Sequence, residues 1–387
     1  MIRKTSLLAS VTCLFLILLS PVLAQAQGEL TILDSSVQSE FPAKLNFSLS
    51  AASDVNITDI RLHYAVDRVS FAQVTSEVYI EFAPTTTADV SWTWDMRRTG
   101  GMPPGSSIEY WWTVKDANGD EIKTTPAQVQ FDDLRYPWQS LTEGKVTIYW
   151  YEGDRSFARE IMTAAQQAMA RLAEDTGAYL EKPVKIYVYV SSQDLRGAMV
   201  FPQEWTGGVA FTRFGIIAIG IAPNNLDWGR RAIAHELAHL VIEQVTLNPY
   251  GDLPTWLDEG LAMYAEGPLE PDLVALLNEA AAENKLISVR SLSSPFSAYA
   301  EEAVLSYAQS YSLVDFLVSA YGPDKMLELL NTFREGSSYD GALNRVYGFD
   351  MDGLNTLWRD YIGVPAQSSE ELGMELAPIG TLAGWGG

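Results

Sequence analysis

The sequence predicts two successive architectures: an all-β sandwich of the immunoglobulin or fibronectin type III kind, then an α+β region whose C-terminal half is helical. Three observations carry this. For roughly a hundred residues after position 28, apolar and polar side chains alternate with a period of two between turn signals, as in short antiparallel strands. From about residue 146 strand-like and helix-like stretches alternate, and from about 254 only helical periodicity remains. The 387 residues, less a leader, are enough for two cores of ordinary size.

In chain order, Arg3 and Lys4 precede an apolar run from Leu7 to Leu19, followed by Pro21 and a small-residue site at Ala24-Gln25-Ala26. This has the three-part form of a secretory signal over 1–26 and predicts a secreted, extracellular or cell-envelope protein. The rival reading is an uncleaved N-terminal anchor over Ser6 to Leu23. Cys13, the only cysteine, lies inside the apolar run, so the rest of the chain uses no disulfide. The formal net charge is -23, or -25 without Arg3 and Lys4. Such a surface repels phosphate backbones and anionic lipid, which argues against a nucleic-acid partner.

The segment 28–133 contains about seven strand patterns. The clearest sets Ile108, Tyr110, Trp112 and Val114 against Glu109, Trp111, Thr113 and Lys115, between Pro103-Pro104-Gly105 and the hairpin signal Asn118-Gly119. Others surround Leu45 to Leu49, Ile60 to Val66, Val78 to Phe82 and Val90 to Trp94, and His63 falls within one of them. Trp92 and Trp94 share a face and are expected in the core. Trp111 points outward, the candidate contact for a polysaccharide or protein partner. Asn46-Phe-Ser48 and Asn56-Ile-Thr58 match glycosylation sequons. A hinge is expected at about 132–144. The α+β region, 140–364, then opens with strands at 146–150 and 184–190 around a helix from Arg155 to Thr176. Two apolar strands within Gly207 to Ala222 follow. Helices are expected near 228–245, 254–266, 271–283, 300–320, 324–334 and 350–361. The remainder, 365–387, reads as a flexible tail without the apolar length of a membrane span.

Residues 235 to 239 read His-Glu-Leu-Ala-His and use two of the chain's three histidines. The surrounding segment has helical periodicity through Ile233, Leu237, Leu240, Val241 and Gln244, with Asp227 as expected N-cap. On a helix His235 and His239 differ by about 40° in azimuth and about 6 Å in rise, so both imidazoles can reach one ion. Glu236 lies between them, beside the ion's open position, where a carboxylate can take a proton from water without being a ligand. The alternative is a pair of buried histidines on an amphipathic helix. Nineteen residues further on, Glu259 lies in an early turn of a second helix, with Pro254 at its start and Thr255 and Asp258 spaced as a capping box. There it is either a third metal ligand or an ordinary acidic helix start. Two imidazoles and a carboxylate suit zinc better than calcium or magnesium.

His235-Glu-Leu-Ala-His239 followed by Trp256-Leu-Asp-Glu-Gly-Leu-Ala-Met-Tyr-Ala-Glu266 resembles the gluzincin metallopeptidases, the aminopeptidase N and thermolysin-like superfamily with its peptidase-MA-like domains. The resemblance covers 235–311 by its motifs and about 145–362 more loosely. It implies a zincin-type domain with one Zn2+ on His235, His239 and Glu259, and hydrolysis of peptide or protein substrates with Glu236 as base. It further implies that Tyr307, in Tyr307-Ala-Gln-Ser-Tyr311, stabilises the oxyanion; Tyr311, one turn on, is the alternative donor. Glu266 returns to nearly the same helix face as Glu259, where it can accept a hydrogen bond from a ligand histidine or stand as an exposed helix carboxylate. The Gly-x-Met-Glu-Asn strand by which aminopeptidases hold a free amino terminus has no match in 207–222, so the chain is not expected to be a typical aminopeptidase. A non-catalytic extracellular binding protein on the same scaffold is the alternative function, and a hydrolase of non-peptide amides a third.

Overall fold

A computed structural model describes residues 29–364 except 203–206 and 298. The expected signal segment, with Cys13, and the expected tail at 365–387 lie outside the described residues. No described helix is long and apolar enough to cross a membrane.

The N-terminal region is mostly β: β1 (Thr31–Glu40), β2 (Lys44–Val66), β3 (Ser76–Tyr79), β4 (Thr85–Asp95), β5 (Ser106–Asp116), β6 (Glu121–Lys123) and β7 (Ala127–Phe131). The period-two pattern places side chains as expected. Ile108, Tyr110, Trp112 and Val114 of β5 are buried together with Leu45, Phe47, Leu49 and Ala51 of β2. At the β5–β6 hairpin Gly119 takes φ +88, and Asp116 Oδ1 accepts from the Asn118 and Asp120 amides.

The strand pairing departs from the expected pair of separate sheets. All seven strands belong to one hydrogen-bonded sheet, because β2 runs for 23 residues and serves both halves. Its first half pairs with β1 and β4, and its second, after irregular pairing between Ala52 and Asp59, with β3 and β5. The irregularity shifts the buried positions from odd numbers up to Ile57 to Ile60 and Leu62 beyond it, so one strand can turn its apolar side inward in both halves. The halves still face each other, with Phe47 meeting Tyr110 at 5.1 Å and Tyr64 meeting Trp94 at 4.6 Å between ring centroids. Trp94 is buried and Trp92 half-buried. Trp111 stacks on His63 of β2, with Lys123 of β6 4.6 Å from its ring, so neighbours already flank the outward tryptophan.

Five further strands form a mixed sheet ordered β11-β12-β10-β9-β8: β8 (Gln139–Glu143), β9 (Val146–Trp150), β10 (Val184–Tyr189), β11 (Gly208–Phe211) and β12 (Ile216–Gly220). The three central strands are parallel and both edges antiparallel. The helices are α1 (Arg155–Thr176), α2 (Ser192–Arg196), α3 (Leu226–Thr246), α4 (Thr255–Glu266), α5 (Pro271–Ala282), α6 (Val289–Leu292), α7 (Ala300–Tyr321), α8 (Pro323–Arg334), α9 (Tyr339–Tyr347) and α10 (Met351–Tyr361). Of these the sequence reading misses α2, α6 and α9, which span only one to two and a half turns. Ile148, Trp150, Ile186, Val188, Ile217 and Ile219 share one core with α1, α3 and the later helices.

The other sheet face is aromatic. Tyr187 and Tyr189 are buried there with Tyr149, Tyr151, Trp138 and Phe41 of the N-terminal region packed against them. The connector at 132–144 is therefore pinned where a hinge is expected. Asp133 is fully buried, takes Arg135 at 2.6 Å and accepts from the Tyr189 hydroxyl at 3.0 Å. Lys185 Nζ donates to the Gly105 carbonyl at 2.8 Å across the same junction. Asp133→Ala leaves the buried Tyr189 hydroxyl without its acceptor, so it is expected to cost about 2 kcal/mol. A urea midpoint equal to that of the parent would contradict the pinning.

Candidate active site

Helix α3 carries the His-Glu-Leu-Ala-His segment. Ile233, Ala234, Leu237, Ala238, Leu240 and Val241 are buried and hold the helix against the core, leaving His235, Glu236 and His239 half-buried along its cleft side. The N-cap is Asn225, without a side-chain hydrogen bond, in place of the expected Asp227; Asp227 lies in the first turn and pairs with Arg230.

Helix α4 supplies the acids. Trp256, Leu257, Leu261, Ala262 and Ala265 are buried, and Asp258, Glu259 and Glu266 turn toward α3. The expected capping box does not form: Pro254 is the N-cap and Thr255 Oγ1 bonds Ser293 O. Asp258 Oδ2 instead lies 3.2 Å from His239 Nδ1. His235 Nδ1 is 2.9 Å from Glu266 Oε1, whose other oxygen is held by Arg231 at 3.0 Å.

With both Nδ1 atoms so engaged, the Nε2 atoms of His235 and His239 converge on Glu259 Oε2, at 3.3 and 3.7 Å. That oxygen is buried and has no hydrogen-bond partner. One donor atom from each of His235, His239 and Glu259 lies within 4.8 Å of the others, and among the described residues this is the only such cluster able to hold a metal ion. An orphaned carboxylate oxygen beside two oriented imidazole nitrogens fits a divalent cation that accepts nitrogen and oxygen ligands.

Charge reinforces the geometry. Burial would lower the His235 pKa, but the Glu259 and Glu266 carboxylates beside its two ring nitrogens and the nearby Glu236 outweigh it and raise it to about 10. His239 is also raised, the Asp258 charge overcoming burial. Asp258 is lowered by His239 despite its own burial. Burial pushes Glu236 up, partly offset by the two histidines.

Glu236 rests on the edge strand. It accepts a hydrogen bond from the Ala210 backbone, and a Cβ at Gly208 would come within 2.8 Å of its Oε1. Gly208 is thus a site residue that sequence reasoning misses, since a glycine in a strand pattern does not say what approaches it. Asp258 is the other, hidden by its capping-box spacing.

Helix α7 brings the tyrosines. It closes on α4 at Gly260, where any Cβ would collide with the Ser310 carbonyl. Tyr307 then faces the histidines, its ring centroid 6.4 Å from that of His235 and its back against Phe296. Its phenol is pushed up to about 12 by burial and by the Glu259 and Glu236 charges. Tyr311, one turn on, packs on Tyr264 and bonds the Leu269 backbone, away from the histidine pair.

Residues 164–364, just over half of the chain, match the Peptidase MA superfamily. No curated protein matches. Solved structures that resemble parts of the fold include an M1 zinc metallopeptidase from Deinococcus radiodurans. It is 13% identical, with a TM-score of 0.35 over 88% of this chain and 94% of that one. OgpA from Akkermansia muciniphila is 12% identical, with a TM-score of 0.22 over 29% of this chain and 30% of its own. A carbohydrate-binding module of family 56, described as a beta-1,3-glucan binding domain, is 22% identical, with a TM-score of 0.16 over 26% of this chain and 99% of its own. Similarities this low carry nothing over to this chain. The match over 164–364 spans the helices of the histidine cluster, and the chain belongs to the Peptidase MA superfamily.

Proposed function

We propose that this chain is a secreted, zinc-dependent metallopeptidase, with His235, His239 and Glu259 holding one Zn2+, Glu236 as general base and Tyr307 as oxyanion donor. The observation that carries the reading is the buried, unbonded Glu259 Oε2 between two imidazoles whose Nδ1 atoms already face carboxylates. When bound, zinc supplies Lewis acidity for the scissile carbonyl and lowers the pKa of water.

The remaining work falls to the protein. Glu236, steadied by the Ala210 amide, takes the proton of the attacking water and passes it to the leaving amine. Its raised pKa makes it the stronger base. Tyr307 keeps its proton at neutral pH and so can donate a hydrogen bond to developing negative charge. Glu266 orients His235, and Asp258 does the same for His239. The packing of Tyr311 against Tyr264 favours Tyr307 over it as donor. Edge strand β11 suits pairing with an extended substrate backbone. In this reading 1–26 is an export signal, 28–133 a mostly β domain, 140–364 the peptidase domain and 365–387 a flexible extension.

Three measurements test the proposal. Glu236→Gln is expected to bind zinc as the parent does while peptide hydrolysis falls by about a hundredfold or more; a variant that cleaves as fast as the parent removes Glu236 from the mechanism. Gly208→Ala crowds the Glu236 carboxylate, so turnover is expected to drop about tenfold at unchanged zinc stoichiometry. In the metal-free protein His235, with its pKa raised to about 10, carries a proton at neutral pH that zinc must expel. Calorimetric titration in buffers of different ionisation enthalpy should therefore show proton release, and zinc affinity should rise with pH until about 10. Buffer-independent enthalpy would contradict the protonated His235.

A further inference from the structure

Open space flanks the histidine pair on both sides. On the His235 side a cavity of about 440 Å³ is bordered by Gly208, Trp228, Arg231, Glu236 and Glu270. On the His239 side one of about 430 Å³ is bordered by Thr212, Arg213, Glu243, Asp252 and Asp258. A third, of about 420 Å³, continues from the second: Asn248, Gly251 and Asp252 belong to the walls of both, and Tyr250, Phe333 and Tyr339 stand beyond. Strand β11 links the first two, since Gly208 borders one and Thr212, directly after the strand, borders the other.

The third cavity is held in shape. Asn248 Oδ1 accepts from the Tyr250 and Gly251 amides at 2.8 and 3.1 Å, and its Nδ2 donates to the Gly251 and Thr246 carbonyls at 2.9 and 3.1 Å. This fixes the α3–α4 connection. Tyr250, 79% exposed, lies against Gly336, which at φ +85 and without a Cβ leaves room for the ring. A large aromatic side chain is thus presented at the cavity wall, and Tyr339 and the buried Phe333 complete an aromatic lining.

A peptidase that removes terminal residues needs its cleft closed at one end by a charge that takes the free terminus. Among the described residues, the arginines bordering these cavities are already committed. Arg231 lies 3.0 Å from Glu266 and 3.4 Å from Glu270, and Arg213 lies 3.0 Å from Glu243. Among the described residues the carboxylates bordering the first two cavities, Glu236 apart, are paired as well, Glu266 and Glu270 with Arg231, Asp227 with Arg230, Glu243 with Arg213 and Asp258 with His239, while the exposed Asp252 lies where the second cavity passes into the third.

We infer that the cleft binds an internal, extended stretch of polypeptide and cuts it as an endopeptidase, with the Tyr250–Phe333–Tyr339 cavity taking an apolar or aromatic side chain remote from the scissile bond. This rests on the peptidase reading above. Water adds across the amide: its hydroxyl joins the carbonyl carbon, the carbon–nitrogen bond breaks, and the proton ends on the new amine. Neither product terminus need pre-exist in the substrate.

The test uses the zinc-loaded full chain and two mixed-sequence libraries of long peptides, one with free ends and one acetylated and amidated. Blocked peptides are expected to be cut at internal bonds at rates within about twofold of free ones. In Tyr250→Ser, kcat/KM for long peptides relative to short ones is expected to fall about tenfold, through KM. Cleavage confined to free-ended peptides, one residue at a time, overturns the endopeptidase inference and leaves the peptidase reading standing. An unchanged long-to-short ratio in Tyr250→Ser overturns the role of the third cavity. Failure to cut either library overturns the peptidase reading, and this inference with it.

Discussion

Everything at the centre of this protein depends on how α4 answers the two histidines of α3. Each imidazole is held by a carboxylate at Nδ1, His235 by Glu266 and His239 by Asp258, and those contacts turn both Nε2 atoms toward Glu259. A carboxylate behind an imidazole fixes its tautomer and raises its basicity, two properties that a metal site needs before metal arrives. The same contacts join the two helices across their polar sides, while Trp256, Leu257 and Leu261 join them to the core. Recognition geometry and packing are therefore one constraint.

That constraint concentrates negative charge. Glu236, Glu259, Glu266, Asp258 and Glu270 crowd a small volume in a chain already strongly acidic, and Arg231 is the base that bridges two of them. In low-dielectric surroundings such crowding is tolerated only with cations among the carboxylates. In the metal-free protein these carboxylates favour the protonated form of His235 and push His239 in the same direction. The same surroundings favour a divalent ion at the histidine pair.

The mixed sheet connects this centre to the rest of the molecule. One face is mainly aliphatic and carries α1 and α3; the other is aromatic and receives Phe41, Tyr136 and Trp138. Alternation along β9 and β10 separates the two kinds of residue, with Ile148, Trp150, Ile186 and Val188 on one side and Tyr149, Tyr187 and Tyr189 on the other. Its edge strand β11 touches Glu236, and the turn after it, at Arg213, bonds Val69 of the N-terminal region at 2.6 Å. The β-rich region is in this way braced against a wall of the cleft.

What is local in this protein follows from residue order alone. Periodicity of two or 3.6 residues reports which side of a strand or helix can be buried, so the longer helices, the β5 alternation and the sharing of one helix face by His235 and His239 are legible in the chain itself. Glu259 at the start of a second helix is legible for the same reason. Whatever depends on approach between distant segments is settled by three-dimensional packing. Asp258 is equally suited to capping its own helix or pairing with an imidazole, and only the packing of α4 on α3 makes it the partner of His239. Tyr307 and Tyr311 share a helix face, and the close contact of α7 with Gly260 separates their surroundings. Likewise the sequence reads separate strands at Leu45 to Leu49 and Ile60 to Val66, yet both belong to the single strand β2, whose irregular pairing past Ala52 merges two expected sheets into one. Spacing along a chain fixes direction within an element; which groups meet across elements follows from core packing, whose energy is shared among residues far apart in sequence.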